Sequence, residues 1–301
     1  MTRPALFVVS NPEPYLHTPQ PDGLDWQMSD AERLLADEVR RLANGRHLLV
    51  LLDFDGTLCE FQAAPGQVQL PESRRALIER LRQHATVGIV SGRRLADVRS
   101  RCGLDGIVFA GQHGLEIDGL GARFAHPDLY AGTVAVKEAA SRLGELTAAL
   151  RGVFVEDKEA SVVLHFREAD ADAQRDAIAA FASVAGPYVD REQLRVMRGS
   201  YMLELLPSIA WNKGNAVHWI ADRVREHDGD PFIVYIGDDV TDQDAFAAIE
   251  HDGLPVAASD RVSANMRLDG PVAVERFLAA LFDTMSRPNH DRDTHHRRPQ
   301  S

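Results

Sequence analysis

The sequence predicts an α/β protein: a doubly wound, mainly parallel sheet with a smaller α/β unit inserted into it. Three observations carry that prediction. Apolar runs of strand length (HLLVLL, TVGIV, GIVFAG, FIVYIG) are followed by helical stretches such as PESRRALIERLRQH, RLADVRSRC and DQDAFAAIEH. The runs are apolar without alternation, as strands covered on both faces must be. From about residue 126 to 206 the alternation breaks, and two hairpin-like segments are interleaved with two helices.

Composition sets outer limits. At 301 residues, 45% hydrophobic and 26% charged, the chain can bury a large core without staples. The net charge of -12 argues against a nucleic-acid backbone as partner, because neutralising phosphates takes a basic face. No apolar run is long enough to cross a bilayer, and the N-terminus lacks the cationic flank and long apolar run of a secretory signal. The two cysteines, Cys59 and Cys102, show no framework spacing and suit a reducing cytoplasm. No partner protein is indicated.

Taken in order, residues 1–45 read as a proline-dotted lead-in followed by a helix over 29–44, with Ser29 as N-cap and Glu32 completing a capping box. A core follows over 46–125 and resumes over 207–286. The inserted unit occupies 126–206: a helix (TVAVKEAASRLGELTAAL), a hairpin (FVEDKEASVVLHFR, turning near Glu159-Ala160), a second helix (AQRDAIAAFASVAG) and a second hairpin (LRVMRGSYMLELLP, turning near Gly199-Ser200). Residues 287–301 are polar and histidine-rich and read as a disordered tail; His295 and His296 fit a solvated tail better than a metal site.

The chemistry gathers at strand ends, where doubly wound folds place their ligands. HLLVLLDFDGTLCEF sets two carboxylates, Asp53 and Asp55, at the tip of a buried strand. Like charges that close disfavour each other's ionisation, and a hard cation turns that cost into a site. The spacing suits a division of labour in which Asp53 attacks and Asp55 handles the proton, while Gly56 turns the chain away and Thr57 offers a hydroxyl. YIGDDVTDQDAF repeats the pattern with Asp238 and Asp239. Asp242 and Asp244 are explained equally well as acids opening the next helix. Ser91 in TVGIVSGRR sits where a strand meets a helix N-terminus, a phosphate cradle or simply a Ser-Gly turn. Lys213 in WNKGNAV stands in the first turn of a helix, against the dipole; a nearby anion would offset that, and a surface lysine fits as well. In the insert, Glu156 and Lys158 share a strand face by period two, and Glu204 shares one with Met202 and Leu206, either facing a ligand or facing water.

In this order, DxDGT, Ser, Lys and GDD resemble the haloacid dehalogenase superfamily of phosphotransferases. That resemblance implies a haloacid dehalogenase-like core and phosphoryl transfer through an aspartyl-phosphate. It makes Asp53 the nucleophile and Asp55 the acid and base, with Ser91 and Lys213 holding the phosphate. Mg²⁺ would be held by Asp53, the Asp55 carbonyl and Asp238, with Asp239 or Asp242 in support. GQHGLEI, VEDK…S…H…R, YMLELLP…NKGNA, GDDVTDQDAF and NMRLDGPVAVERFLAAL narrow the resemblance to trehalose-6-phosphate phosphatases, over roughly residues 46–285. It implies trehalose 6-phosphate as substrate, an insert acting as cap, and Glu156, Lys158 and Glu204 binding sugar hydroxyls. Arg93, Gln112, His113 and Gly114 would lie near the junction of cap and core. Phe166 and Gln243 depart from the tyrosine and glutamate usual in that family. A phosphatase for another sugar phosphate, such as sucrose 6-phosphate or glucosyl-3-phosphoglycerate, is the alternative. A non-catalytic sugar-phosphate-binding module is a further one, against which the presence of Asp53, Asp55, Lys213 and Asp238 speaks.

Overall fold

A computed structural model describes residues 30–60, 68–158 and 161–287. The expected lead-in over 1–28, the Ser29 cap, the Glu159-Ala160 turn and the tail with His295 and His296 lie outside the described residues. The chain enters through α1 (Asp30–Ala43), whose buried face of Leu35, Ala36, Val39 and Ala43 recurs at helical spacing. Next come β1 (Leu48–Leu52), α2 (Glu72–Leu81), β2 (Thr86–Val90), α3 (Leu95–Cys102) and β3 (Val108–Gly111). A hairpin that the sequence did not announce follows, β4 (Glu116–Gly119) and β5 (Ala122–Ala125). Its strands are only four residues each and no apolar run marks them.

The insert then opens with α4 (Leu129–Thr147), β6 (Phe154–Asp157) and β7 (Val162–His165), followed by α5 (Ala171–Val189), β8 (Leu194–Gly199) and β9 (Met202–Pro207). The core resumes as α6 (Lys213–Asp228), β10 (Phe232–Gly237), α7 (Gln243–Ala248), β11 (Gly253–Ala257), β12 (Met266–Arg267) and α8 (Gly270–Ser286). No described helix is long and apolar enough to cross a membrane.

The core strands form one eight-stranded sheet in the order β12-β11-β10-β1-β2-β3-β4-β5. Pairing is parallel from β12 to β3 and antiparallel only through the β4–β5 hairpin, so the mainly parallel expectation holds. Helices cover both faces. Leu48, Val50 and Leu52 face a cluster with α1, α2 and α8, whereas Leu49 and Leu51 face α6 and α7. All five β1 residues are buried for that reason. Truncating Leu51 to alanine would cost about 2–5 kcal/mol. Arg74 on α2, buried, ties the first layer together through Glu275 of α8 at 2.8 Å.

The second sheet, β6-β7-β9-β8, is antiparallel throughout. One face packs Val155, Val162, Leu164, Leu194, Leu203 and Leu205 onto α4 and α5. The register aligns Glu156, Val163, Glu204 and Met197 as one row across its other face.

Candidate active site

Parallel pairing of Leu52 with Ile236, continued by Asp53 N donating to Ile236 O at 2.9 Å, sets the tips of β1 and β10 side by side. Asp53 therefore meets the acids after Gly237. The loop leaving β1 folds back tightly: Gly56, at φ 86°, donates to Cys59 O, and Leu58 N returns to Phe54 O. This frees Thr57 Oγ1 to donate to Asp238 Oδ1 at 3.2 Å.

One oxygen from each of Asp53, Asp238 and Asp242 lies within 4.8 Å of the others, and all three residues are buried. Lys213 Nζ, 2% exposed, donates to Asp53 Oδ1 at 2.6 Å and Asp242 Oδ1 at 2.7 Å. Those carboxylates are the anions that offset its place in the first turn of α6. Burial works against the ammonium, but Asp242 and Asp53 outweigh it and hold its pKa above the ordinary lysine range. Asp242 is more than a helix-opening acid. It also accepts the Tyr235 hydroxyl at 2.8 Å and the N–H groups of Asp238 and Asp239 at 3.0 Å. Gly237 makes room for it: a Cβ there would stand 2.3 Å from Asp242 Cγ. Asp239 turns its carboxylate to Val240 N at 2.8 Å, capping the short turn over Val240–Asp242.

Burial pushes Asp53 well up from the ordinary carboxylate range; Lys213 opposes that, while Asp242 and Asp238 add to it. Burial likewise pushes Asp238 up to about 6, against the pull of Arg261, whose guanidinium contacts Asp238 Oδ2. Three clustered carboxylates short of positive charge, all hard oxygen donors, fit a small divalent cation.

On the other side of Asp53, Asp55 is gripped by Arg93, with Nε and one terminal nitrogen each donating at 2.6 Å. Arg93 also reaches Asp97 at 3.2 Å and lies over the Phe54 ring. Ser91, buried at the end of β2, accepts Arg93 N on its Oγ at 3.1 Å. Gln112 and His113 both take left-handed backbone, φ 51° and 58°, and Gly114 follows at 94°. Two non-glycine residues there store about 1–3 kcal/mol each. The turn is strapped down by Gln112 N to Arg93 O at 2.7 Å and His113 N to Ser91 O at 2.9 Å. His113 then covers Gly92, where a Cβ would meet the ring at 2.9 Å. Burial, joined by Lys213, Lys158 and Arg195, lowers the His113 pKa to about 4 against the pull of Glu204, so the ring is neutral near pH 7.

Above this rim sits the polar row of the second sheet. Glu204, 3% exposed, accepts Ser161 Oγ at 2.6 Å and pairs with Lys158 at 3.6 Å. Glu156 pairs with His165 at 2.9 Å, and His165 stacks on Phe154. Burial would raise both carboxyls, yet His165 and Lys158 hold Glu156 below its ordinary value, and Lys158, His113 and Ser161 do the same for Glu204. Between rim and sheet lies a cleft of about 500 Å³, with Lys213 and His113 below and Arg195 and Met197 above.

The structure thus brings Asp53, Asp238, Asp242 and Lys213 into direct contact range, sets Asp55, Ser91, Arg93, Gln112, His113 and Gly114 along one flank, and hangs Glu156, Lys158 and Glu204 opposite. Tyr235, Arg261, Trp211 and Arg195 were not picked out from the sequence. Tyr235 reads as one more apolar strand residue and Arg261 lies in a loop without period. Ser161 and His165 stood inside the VEDK…S…H…R motif, which was their signal.

Strand-tip acids, a buried lysine and a sheet set over them define a capped phosphohydrolase of the haloacid dehalogenase superfamily, a phosphoric monoester hydrolase. The trehalose-phosphatase family model matches residues 51–270. A trehalose-phosphate phosphatase from Mycobacterium avium is 35% identical over 272 residues, covering 87% of this chain and 68% of that protein. One from Mycobacterium marinum is 33% identical over 287 residues, covering 85% and 73%. In fold, the C-terminal domain of the C. albicans trehalose-6-phosphate phosphatase superposes with a TM-score of 0.71 at 20% identity, covering 83% of this chain and 97% of that one. The chain belongs to the trehalose-phosphatase family.

Proposed function

We propose that the protein hydrolyses trehalose 6-phosphate to trehalose and phosphate in the cytoplasm, with Mg²⁺ as cofactor. The observation that carries the reading is the contact of Lys213 with both Asp53 and Asp242 at the strand tips, beneath a sheet face bearing Glu156, Lys158 and Glu204. Asp53 Oδ attacks phosphorus; an O–P bond forms on Asp53 as the bond from phosphorus to the sugar O6 breaks. Asp55, which must exchange its grip on Arg93 for a proton before this step, gives that proton to O6, and trehalose leaves. Asp55 then takes a proton from the water that attacks phosphorus, releasing phosphate and restoring both aspartates. Lys213 and Ser91 hold the phosphoryl oxygens throughout. Asp53, Asp238 and the Asp55 carbonyl, with Asp239 or Asp242 in support, would hold Mg²⁺, which would supply positive charge beside the transferring group. Arg93, Gln112, His113 and Gly114 shape the junction, and Glu156, Lys158 and Glu204 read the sugar hydroxyls.

Phosphate release measured over a panel containing trehalose 6-phosphate, glucose 6-phosphate, sucrose 6-phosphate and glucosyl-3-phosphoglycerate, with and without Mg²⁺, tests this. Trehalose 6-phosphate should lead by a wide margin. A different leader would move the substrate, and silence on every ester would return the chain to a binding module.

A further inference from the structure

The acids at the strand tips are held in two different ways. Asp53 and Asp242 are served from inside the protein, by the buried Lys213 and, for Asp242, also by Tyr235 and two backbone N–H groups. Asp238 is equally buried, but one of its two partners is not. Its Oδ1 accepts the buried Thr57 hydroxyl at 3.2 Å, whereas its Oδ2 is in contact with Arg261, whose side chain keeps 42% exposure. Lys213 is enclosed with its carboxylates. Arg261 has bulk water beside it.

The fold sets this contact up from the next strand. β11 runs parallel to β10 with Ala257 opposite Gly237, and Ala258 N donates to Gly237 O at 2.8 Å, so the loop leaving β11 reaches Asp238. Ser259 Oγ donates to Asp238 O at 2.6 Å and accepts Arg261 N at 3.1 Å. That bracket pins the root of Arg261 to the main chain of Asp238 and leaves the long side chain as the movable part. The charges then decide what it does. Asp53, Asp238 and Asp242, with one oxygen of each within 4.8 Å of the others, leave the cluster net negative against Lys213 alone, and Arg261 adds a second positive charge. A guanidinium and a divalent cation on one carboxylate repel each other and claim the same lone pairs. Arginine cannot step aside by losing its proton, so it yields only by moving.

We propose that Arg261 is a competing counter-ion that sets the affinity of the site for its divalent cation. It covers Asp238 Oδ2 and swings toward solvent as a cation takes that oxygen, while Ser259 keeps its backbone in place. The proposal rests on the reading of Asp53 and Asp238 as cation ligands. It needs no particular substrate, because Arg261 acts through Asp238.

The test titrates Mg²⁺ calorimetrically into metal-stripped wild type, Arg261→Gln and Arg261→Lys, and follows the melting temperature of each over the same Mg²⁺ range. Arg261→Gln, which removes the charge and keeps most of the length, should bind Mg²⁺ roughly tenfold more tightly. Its stripped form should melt below the stripped wild type, because Asp238 loses its counter-ion, and saturating Mg²⁺ should close that gap. Arg261→Lys keeps the charge and should stay near the wild type in Mg²⁺ affinity. Equal or weaker Mg²⁺ binding by Arg261→Gln would overturn the proposal and make the arginine a strut that orients Asp238. A lysine variant that binds as tightly as the glutamine one would overturn it too, since charge would then not be what competes. A wild type that takes up no Mg²⁺ would overturn the parent reading of the cation site, and that arm is read without any variant.

Discussion

The two sheets differ in how they are covered, and the difference decides where each does its work. Over its central strands the eight-stranded sheet is packed on both faces, so the free positions there are the strand ends, and the acids collect there. The four-stranded sheet is packed on one face alone, against α4 and α5, and its open face carries Glu156, Lys158 and Glu204. Burial follows the same division. Asp53, Asp238, Asp242 and Lys213 are each no more than 5% exposed, whereas the Lys158 side chain keeps 22%. One sheet offers a fixed, charge-dense point at its strand ends; the other offers a half-open polar face, and on the function proposed above the first would serve any phosphate ester and the second one shape of leaving group.

Substitutions can break this division at either side. Asp53→Asn should bring turnover to background on every ester, because the amide keeps the shape but cannot attack phosphorus; Asp55→Asn should cost roughly 10²–10⁴-fold. Both are measured as kcat on trehalose 6-phosphate and p-nitrophenyl phosphate, and retention of more than a few per cent by a folded Asp53→Asn would assign the attack elsewhere. Metal removal should act on the same side of the division. A chelator should abolish activity, Mg²⁺ should restore it, and Ca²⁺, which prefers a larger and looser coordination shell, should serve poorly. Full activity in a stripped sample would remove the cation from the scheme.

On the cap side, Glu156→Gln and Glu204→Gln should lower kcat/KM for trehalose 6-phosphate on the order of a hundredfold, and far less for p-nitrophenyl phosphate. A parallel fall would show that these carboxylates hold the sheet together. At the junction the expected effect is on stability and leaves turnover aside. His113 has a pKa lowered to about 4, so between pH 6.5 and 4 the unfolded chain takes up a proton that the native ring refuses. Its contribution is therefore whole above pH 6.5 and fades as pH falls, by about 3 kcal/mol at the acid end. Denaturant melts at pH 7 and pH 4.5 should show that slope in the wild type and a shallower one in His113→Gln.

The same coverage explains what could be read in advance. Strands buried on both faces must be apolar throughout, so LLVLL and FIVYI declared themselves, and acids at their ends stood out against that background. Alternating strands showed in FVEDKEASVVLHFR because one face is open. The β4–β5 hairpin was missed because Glu116–Gly119 and Ala122–Ala125 are edge strands, half-buried and short. β11 and β12 went unannounced too. Arg93 was placed near the junction, but its two-point grip on Asp55 depends on how the β1 and β2 loops meet. Arg261 reaches Asp238 from a loop 23 residues on, and no local pattern encodes a pairing at that separation.

His126, just past the end of β5, and Trp211, just before α6, are 5.4 Å apart ring to ring. The chain leaves the large sheet and comes back to it at nearly one point, with two helices and four strands strung between. An insertion whose ends touch can be lengthened, shortened or exchanged without drawing any strand of the host sheet out of register. The unit strung between those two rings is therefore exchangeable as a block, and the host sheet keeps its register whatever that block contains.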